Sequence, residues 1–78
     1  MAHADGDREA LQEIWCDLLG IEEVHAGDDF FVAGGASLTA LTLVSRIWDR
    51  IGVQIDLEDV YENATFDALC RRVAAGRS

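Results

Sequence analysis

A glycine pair that runs directly into a serine and an amphipathic segment constrains this chain more than any other stretch. Gly34 and Gly35 allow backbone geometry that other residues avoid, and Ser37 follows shortly after them. A hydroxyl at the start of a helix commonly accepts a hydrogen bond from a free backbone amide. Apolar residues then recur at helical spacing over residues 37–50. The stretch therefore predicts a turn, a helix capped by Ser37, and a core beneath that helix.

At about 100° per residue, one face of this predicted helix is apolar and the opposite face is polar. The predicted core face consists of Ala40, Leu41, Val44, Ile47, Trp48 and Ile51. Leu38 and Leu43 fall outside that face. Leu38 lies beside Ser37, and it is either an ordinary exposed apolar residue or a contact for a partner.

Periodicity and end signals predict three more helices, over residues 7–19, 57–63 and 66–75. Gly20 and Gly52 are placed to end the first and second helices, and Thr65 is placed to cap the fourth. Residues 1–6 are predicted to be a loose leader. The whole chain, residues 1–78, is predicted to be one all-α domain with a core of about residues 7–75. Its expected architecture is a four-helix bundle with a long first loop and a short third helix.

The long connection over residues 20–36 shows no periodicity. Loops above about 12–15 residues are uncommon unless they are functional or packed by their own side chains. Phe30 and Phe31 can anchor this one across the helices, and the carboxylates of Asp28 and Asp29 are predicted to cap turns. A metal site at these two acids is disfavoured because no third ligand stands at a recognised spacing.

The composition excludes several classes of function. Fifteen acidic residues stand against six arginines, with no lysine and a net charge of -9, which argues against binding to nucleic acid or to an anionic membrane. No apolar run approaches the roughly 20 residues that span a bilayer, and the start lacks the features of a signal peptide. Cys16 and Cys70 form neither a metal motif nor a disulfide framework. We therefore expect a cytoplasmic protein.

The region around Ser37 matches none of the common catalytic or nucleotide-binding motifs. Thr39 stands where a nucleophile elbow requires its second glycine, and a phosphate-binding loop requires a lysine that this chain lacks. Ser37 has no predicted base beside it, so it should be a poor nucleophile on its own. Two interpretations remain open at this point: a helix cap, or an acceptor that another enzyme modifies.

Five segments of the chain resemble one known family. They are IWCDLLG at residues 14–20, DDFFVAGGASL at 28–38, LVSRI at 43–47, GVQI at 52–55 and VYENATFDAL at 60–69. In this order they resemble the peptidyl carrier proteins, the thiolation domains of nonribosomal peptide synthetases. The similarity covers about residues 9–74 and implies the helical bundle of the acyl-carrier-protein type.

The resemblance implies that Ser37, supported by Gly34 and Gly35, carries a 4'-phosphopantetheine arm transferred from coenzyme A by a phosphopantetheinyl transferase. The arm would hold an aminoacyl or peptidyl group as a thioester, loaded by an adenylation enzyme and processed by condensation and tailoring enzymes. The chain itself would be a non-catalytic monomer without a catalytic residue or a metal site. Because the sequence begins at Met1 and ends about where the bundle ends, we expect a free-standing carrier, although an excised domain with an added methionine would look the same.

The resemblance also implies a surface for partners beside the arm. Leu38 matches a position that family members use for partner contact, and the further interface candidates are Thr39, Thr42, Arg46, Val60 and Tyr61. Three departures from the family pattern leave the choice of partners open. Ala36 stands where His, Asp or Asn is common, Ala33 replaces a commoner leucine, and the chain contains no proline.

Two alternatives remain beside the peptidyl carrier. One is an acyl carrier for polyketide or fatty-acid intermediates, although Ala36, Arg46 and Arg50 differ from the usual Asp-Ser-Leu start and acidic second helix of fatty-acid carriers. The other is a helical interaction module in which Ser37 is only a cap. The identity of the cargo is not encoded in the motif, because a carrier holds its cargo at the end of a long arm.

Overall fold

The computed structural model describes the backbone of residues 3–76 and the side chains of residues 6–76. Within that range the chain folds into four helices: α1 (His3–Leu19), α2 (Ser37–Ile51), α3 (Leu57–Glu62) and α4 (Phe66–Gly76). The backbone of residues 3–76 contains no β-strand, only an isolated antiparallel bridge between Asp29 and Thr65. The predicted all-α fold with a long first connection and a short third helix is confirmed.

The helix ends follow local chemistry. Gly20 and Gly52 adopt left-handed backbone angles, with φ of 67° and 79°, at the ends of α1 and α2. Asp56 and Asp59 form a reciprocal capping box at the start of α3. The Thr65 hydroxyl accepts from the Ala68 amide at 3.3 Å, as its predicted role as a cap for α4 requires.

The start of α1 corrects one prediction. The helix begins at His3, so the expected loose leader over residues 1–6 is wrong for residues 3–6, while residues 1 and 2 lie outside the described range. A single glycine such as Gly6 costs a helix only about 1 kcal/mol, so it does not end the helix.

One apolar core holds the helices together. Its centre is Trp15 of α1, whose ring packs edge-on against Phe30 at 5.1 Å and against Phe66 at 5.4 Å between ring centroids. Such pairs contribute about 0.5–1.5 kcal/mol beyond the area that they bury. The buried apolar residues are Leu11, Ile14, Trp15, Phe30, Ala40, Leu43, Ile47, Ile51, Val53, Ile55, Val60, Phe66, Leu69 and Val73.

The buried face of α2 differs from the predicted one. Leu43, which was predicted to lie outside the core, is fully buried, whereas Leu41 and Trp48 are 49% and 55% exposed. The true face is centred on Ala40 and Ile47, and it is rotated toward Leu43. Because α2 carries apolar residues around much of its circumference, its own periodicity does not select the face. The positions of the neighbouring helices do.

Within the described range, no helix is both long enough and apolar enough to cross a lipid bilayer.

Candidate functional site

The loop before α2 is fixed to the junction between α3 and α4. The Phe30 amide donates to the Ala64 carbonyl at 2.8 Å, and the Phe66 amide donates to the Asp28 carbonyl at 2.9 Å. These bonds hold the end of the loop across the bundle, with the Phe30 ring in the core. The loop is therefore a fixed support for the glycine pair that follows it.

The two acids of this loop cap its turns. Asp28 accepts from the His25 amide at 2.9 Å, and Asp29 accepts from the amides of Phe31 and Val32 at 2.9 and 3.1 Å. Their predicted role in turn capping is confirmed. Among the described side chains, no group of three or more potential metal ligands is close enough to hold an ion.

The glycine pair brings the chain past Phe30 and into α2. Gly34 has a φ of 118°, a conformation that side chains disfavour. Gly35 lies so close to Phe30 that an added Cβ would stand 2.4 Å from two of its ring carbons. The Gly35 amide also donates to the Phe30 carbonyl at 2.8 Å. The site therefore needs glycine at both positions. Gly34 is needed for its backbone angle, and Gly35 is needed because a side chain would overlap Phe30.

Ser37 is the first residue of α2, and the residue in the capping position is Ala36. No side chain caps this helix, so the prediction that Ser37 is an N-cap is wrong. Its hydroxyl instead lies 2.7 Å from the Tyr61 hydroxyl of α3, and both residues are exposed. The N-cap and the first helical residue are adjacent positions, and a sequence pattern does not locate the start of a helix to within one residue.

Tyr61 is held over Ser37 by the aromatic residues of the loop. Its ring stacks on Phe31 with 4.9 Å between centroids and 12° between ring planes. Phe31 in turn packs edge-on against the buried Phe30 at 5.5 Å. A chain of ring contacts thus connects the Ser37 hydroxyl to the core. Tyr61 was predicted only as a partner contact, and its bond to Ser37 was not, because nothing in the sequence pattern relates residues so far apart.

The other predicted interface residues divide into accessible and inaccessible ones. Leu38 is 78% exposed beside Ser37. Thr42 is exposed and its hydroxyl donates to the Leu38 carbonyl at 3.2 Å, while Thr39 is half-buried. Val60 is fully buried because it faces the core from α3, so its side chain cannot meet a partner on the surface.

Arg46, the remaining interface candidate, is exposed but is bound to α1. Its guanidinium contacts Asp17 at 2.6 Å. The two large apolar residues Leu41 and Trp48, which were predicted to face the core, are exposed on the same helix. The exposure of Leu41 could have been predicted, because it lies about one helical turn after Leu38 and residues three apart share a side of a helix.

The electrostatics of the described surface are those of an acidic protein whose cations are internally paired. Every arginine between residues 6 and 76 contacts an acid of this chain: Arg8 and Arg71 contact Asp67, Arg46 contacts Asp17, Arg50 contacts Glu13, and Arg72 contacts Asp59. Hydrogen bonding to Arg72 is the main cause that lowers the pKa of Asp59 below its usual value. Glu58 and Glu62, which flank Tyr61 along α3, are exposed.

Both thiols of the described chain have a raised pKa. Burial raises the pKa of both Cys16 and Cys70, with the charge of Glu23 adding to the effect at Cys16. Cys70 is half-buried and packs against the core as a small apolar residue. Since the thiolate is the reactive form, neither side chain competes well with a thiol of ordinary pKa at neutral pH.

Residues 9–73 match the family model described as the phosphopantetheine attachment site. The chain belongs to this family. It is a carrier domain, and its cofactor is 4'-phosphopantetheine, which is derived from coenzyme A and bound covalently. An exposed serine after a glycine turn, at the start of a helix, fits such a group, because the hydroxyl is accessible and no bulky side chain precedes it.

Relatives of this carrier domain include parts of very large synthases. It is 43% identical over 67 residues to N-(5-amino-5-carboxypentanoyl)-L-cysteinyl-D-valine synthase of Penicillium rubens, covering 82% of this chain and 2% of that protein. The chain thus spans a small fraction of the length of this relative. Its expected status as a free-standing carrier stays a prediction.

Solved structures of carriers share the fold. A nonribosomal PCP domain matches with a TM-score of 0.72 and 31% identity, covering 82% of each chain. The solved complex of the phosphopantetheine transferase Sfp with coenzyme A and a peptidyl carrier protein contains a match with a TM-score of 0.82. That match is 29% identical and covers 87% of this chain and 88% of that one. The similarities favour the nonribosomal peptide carrier over the polyketide or fatty-acid alternative.

Proposed function

We propose that Ser37 is the residue that carries the phosphopantetheine arm and that the arm holds aminoacyl or peptidyl groups. The observation that carries this proposal is the exposed Ser37 hydroxyl at the start of α2, directly after the fixed turn formed by Gly34 and Gly35. When bound, the arm supplies a terminal thiol at which an acyl group is held as a thioester. The residues of the chain present this attachment point without enclosing it.

The modification requires a second protein. Tyr61 is the side chain hydrogen-bonded to Ser37, and among the described residues no histidine or carboxylate is hydrogen-bonded to that hydroxyl. A base must therefore come from the transferase. The Ser37 oxygen bonds to the phosphorus that bears pantetheine, the serine proton passes to that base, and the nucleotide part of coenzyme A leaves. The chain acts as a substrate here and contributes no catalytic residue of its own.

The proposed partners follow from the relatives. A peptidyl carrier protein is found with the transferase Sfp and coenzyme A in one similar structure, which supports a transferase as the first partner. An adenylation enzyme would then load the arm, and condensation and tailoring enzymes would act on the loaded group. Leu38, Thr42 and Tyr61 are exposed around Ser37, and they are the proposed contacts. Thr39 and Arg46 remain secondary candidates at the edge of this surface.

Incubation with coenzyme A and a transferase of broad specificity tests the attachment residue. We expect one phosphopantetheinyl group on the wild-type chain by intact mass, none on Ser37→Ala, and one on Ser45→Ala, which removes an exposed hydroxyl from the same helix. Equal modification of Ser37→Ala would contradict the proposal. Retained helical circular dichroism in both variants shows that a loss of modification is not a loss of fold.

A loading experiment tests the cargo class. The modified chain is offered to a panel of adenylation enzymes with their amino acids, and to acyltransferases with malonyl and fatty-acyl donors. We expect aminoacyl thioesters on the arm. Charging by malonyl or fatty-acyl groups alone would support the polyketide or fatty-acid alternative instead.

A further inference from the structure

The Tyr61 hydroxyl occupies a fixed position next to the Ser37 hydroxyl, and the two oxygens lie 2.7 Å apart. The tyrosine belongs to α3 and the serine to α2, so the bond connects two helices. Tyr61 is 51% exposed as a residue, yet one face of its ring is covered by the stacked Phe31 ring. Stacking restricts the ring to the plane that places its hydroxyl over Ser37.

Esterification of Ser37 changes what this hydroxyl can bind. In the unmodified chain either hydroxyl can donate to the other. Once the Ser37 oxygen is bonded to phosphorus it has no proton, so Tyr61 becomes the donor of the pair. The unesterified oxygens of the phosphodiester carry the negative charge, lie two bonds from the serine oxygen through the phosphorus, and are stronger acceptors than the ester oxygen. Hydrogen bonds to an ionised acceptor are roughly twice as strong as neutral ones.

We propose that the Tyr61 hydroxyl binds the phosphodiester at the root of the arm, which makes Tyr61 a positioning residue for the attached group. The inference rests on the proposed attachment to Ser37. The proposed donor to the phosphodiester is a neutral hydroxyl and not an arginine, because every arginine between residues 6 and 76 contacts an acid of this chain. The Thr42 hydroxyl, the nearby alternative on α2, donates to the Leu38 carbonyl.

This contact has a directional consequence. Tyr61 lies on α3, so a hydrogen bond to the phosphodiester draws the root of the arm toward α3. The exposed Leu38 then lies at the same end of α2 as the base of the arm. A partner that contacts both Leu38 and α3 would meet an arm whose first atoms have a defined orientation.

Phosphorus NMR of the modified chain tests the contact. The variant Tyr61→Phe removes only the hydroxyl and retains the ring that stacks on Phe31, and Ser45→Ala serves as the control. We expect the phosphodiester resonance of the wild type and of Ser45→Ala to be displaced from that of a short phosphopantetheinyl-serine peptide. The resonance of Tyr61→Phe should move back toward the peptide value. Coincidence of the wild-type and Tyr61→Phe resonances would overturn the inference.

A second measurement needs no substitution at Tyr61. The chain contains a single tyrosine, so selective carbon-13 labelling gives one signal for the ring carbon that bears the hydroxyl. The unmodified Ser37→Ala variant supplies the reference for a hydroxyl without its serine partner. We expect the modified wild type to differ from this reference, whereas an identical shift would mean that the hydroxyl binds nothing and would refute the contact.

Mass analysis of the same samples separates the two proposals. A wild-type chain that carries no phosphopantetheine on Ser37 contradicts the proposed function. A chain that carries the group on Ser37 but shows no displacement of its phosphorus resonance contradicts only the role of Tyr61.

Discussion

Phe30 and Gly35 determine the shape of the attachment site at the scale of single residues. The Phe30 ring lies in the core, and its carbonyl accepts the Gly35 amide. Because the backbone at Gly35 passes against that ring, the position of Ser37 depends on a contact that only glycine permits. The space available to residue 35 therefore matters to function through geometry, although Gly35 contacts no substrate.

Gly35→Ala should destabilise the fold by about 1–3 kcal/mol, because the new Cβ overlaps Phe30 ring carbons at 2.4 Å. Chemical denaturation followed by circular dichroism measures the change in the free energy of unfolding. Gly27→Ala is the matched control, since no atom lies within 4 Å of a Cβ at that position. Equal effects of the two substitutions would contradict the close contact at Gly35.

At the scale of secondary-structure elements, the helix α2 has one apolar face that is buried and another that is exposed. Leu43 faces the core, whereas Leu38, Leu41 and Trp48 are largely exposed. The exposed face begins beside Ser37 and continues along the helix. The same helix thus contributes to the core on one side and offers apolar area to partners on the other.

Leu43→Ala should cost about 2–5 kcal/mol of unfolding free energy, because it leaves a cavity in the core. Leu41→Ala removes the same atoms from a half-exposed position, and we expect a cost of no more than about 1 kcal/mol. Urea denaturation of the two variants distinguishes the faces. A larger cost for Leu41→Ala would restore the helix orientation that periodicity alone predicted.

The α3–α4 contact depends on the ionised form of Asp59. Arg72 donates to its two carboxylate oxygens at 3.0 and 3.2 Å, and this hydrogen bonding is the main cause of the lowered pKa. A lowered folded-state pKa stabilises the fold above the unfolded value, which lies near 3.8. That stability is lost as the pH falls through the folded-state pKa.

Asp59→Asn keeps an oxygen that can accept hydrogen bonds but removes the charge. At pH 7 we expect the variant to melt a few degrees below the wild type, since this ion pair is only partly buried and solvent still screens it. The difference should vanish as the pH falls below 3.8 and through the lower folded-state pKa. Melting curves at a series of pH values provide the measurement, and a difference that stays constant into strong acid would exclude the charge as its source.

Local chemistry predicted some parts of the fold, and tertiary contacts decided the others. The glycine ends of α1 and α2 and the Thr65 cap each depend on residues within one helical turn, so the sequence was sufficient. The bond between Ser37 and Tyr61 joins different helices and could not be read from spacing. The burial of Val60 and the orientation of α2 depend on where neighbouring helices lie, which amphipathic patterns leave undetermined when a helix has apolar residues on several sides.

Net charge is the dominant property of this carrier at the scale of the whole molecule. The chain has a charge of -9, and the arginines between residues 6 and 76 are occupied by internal ion pairs. The surface offered to partners is therefore acidic, including Glu58 and Glu62 beside Tyr61. Such a surface favours partners with basic binding sites and accelerates their encounter at low salt.

The rate of phosphopantetheinylation by a transferase with a basic carrier-binding surface should fall about tenfold in kcat/KM between low and high salt. The double variant Glu58→Gln/Glu62→Gln should weaken this dependence. The variant Glu9→Gln/Glu22→Gln removes the same charge from α1 and the loop after it, and it should change the dependence less. Equal effects of the two double variants would show that total charge, and not the α3 surface, controls the encounter.

Localisation of the attached group tests the central claim most directly. Cleavage before aspartate releases residues 29–48, a peptide whose hydroxyl-bearing side chains are Ser37, Thr39, Thr42 and Ser45. After modification of the unaltered chain, fragmentation of this peptide should place one phosphopantetheinyl group on Ser37 and none on the other three. A group on Thr39, Thr42 or Ser45, or an unmodified peptide after exposure to an active transferase and coenzyme A, would contradict the account.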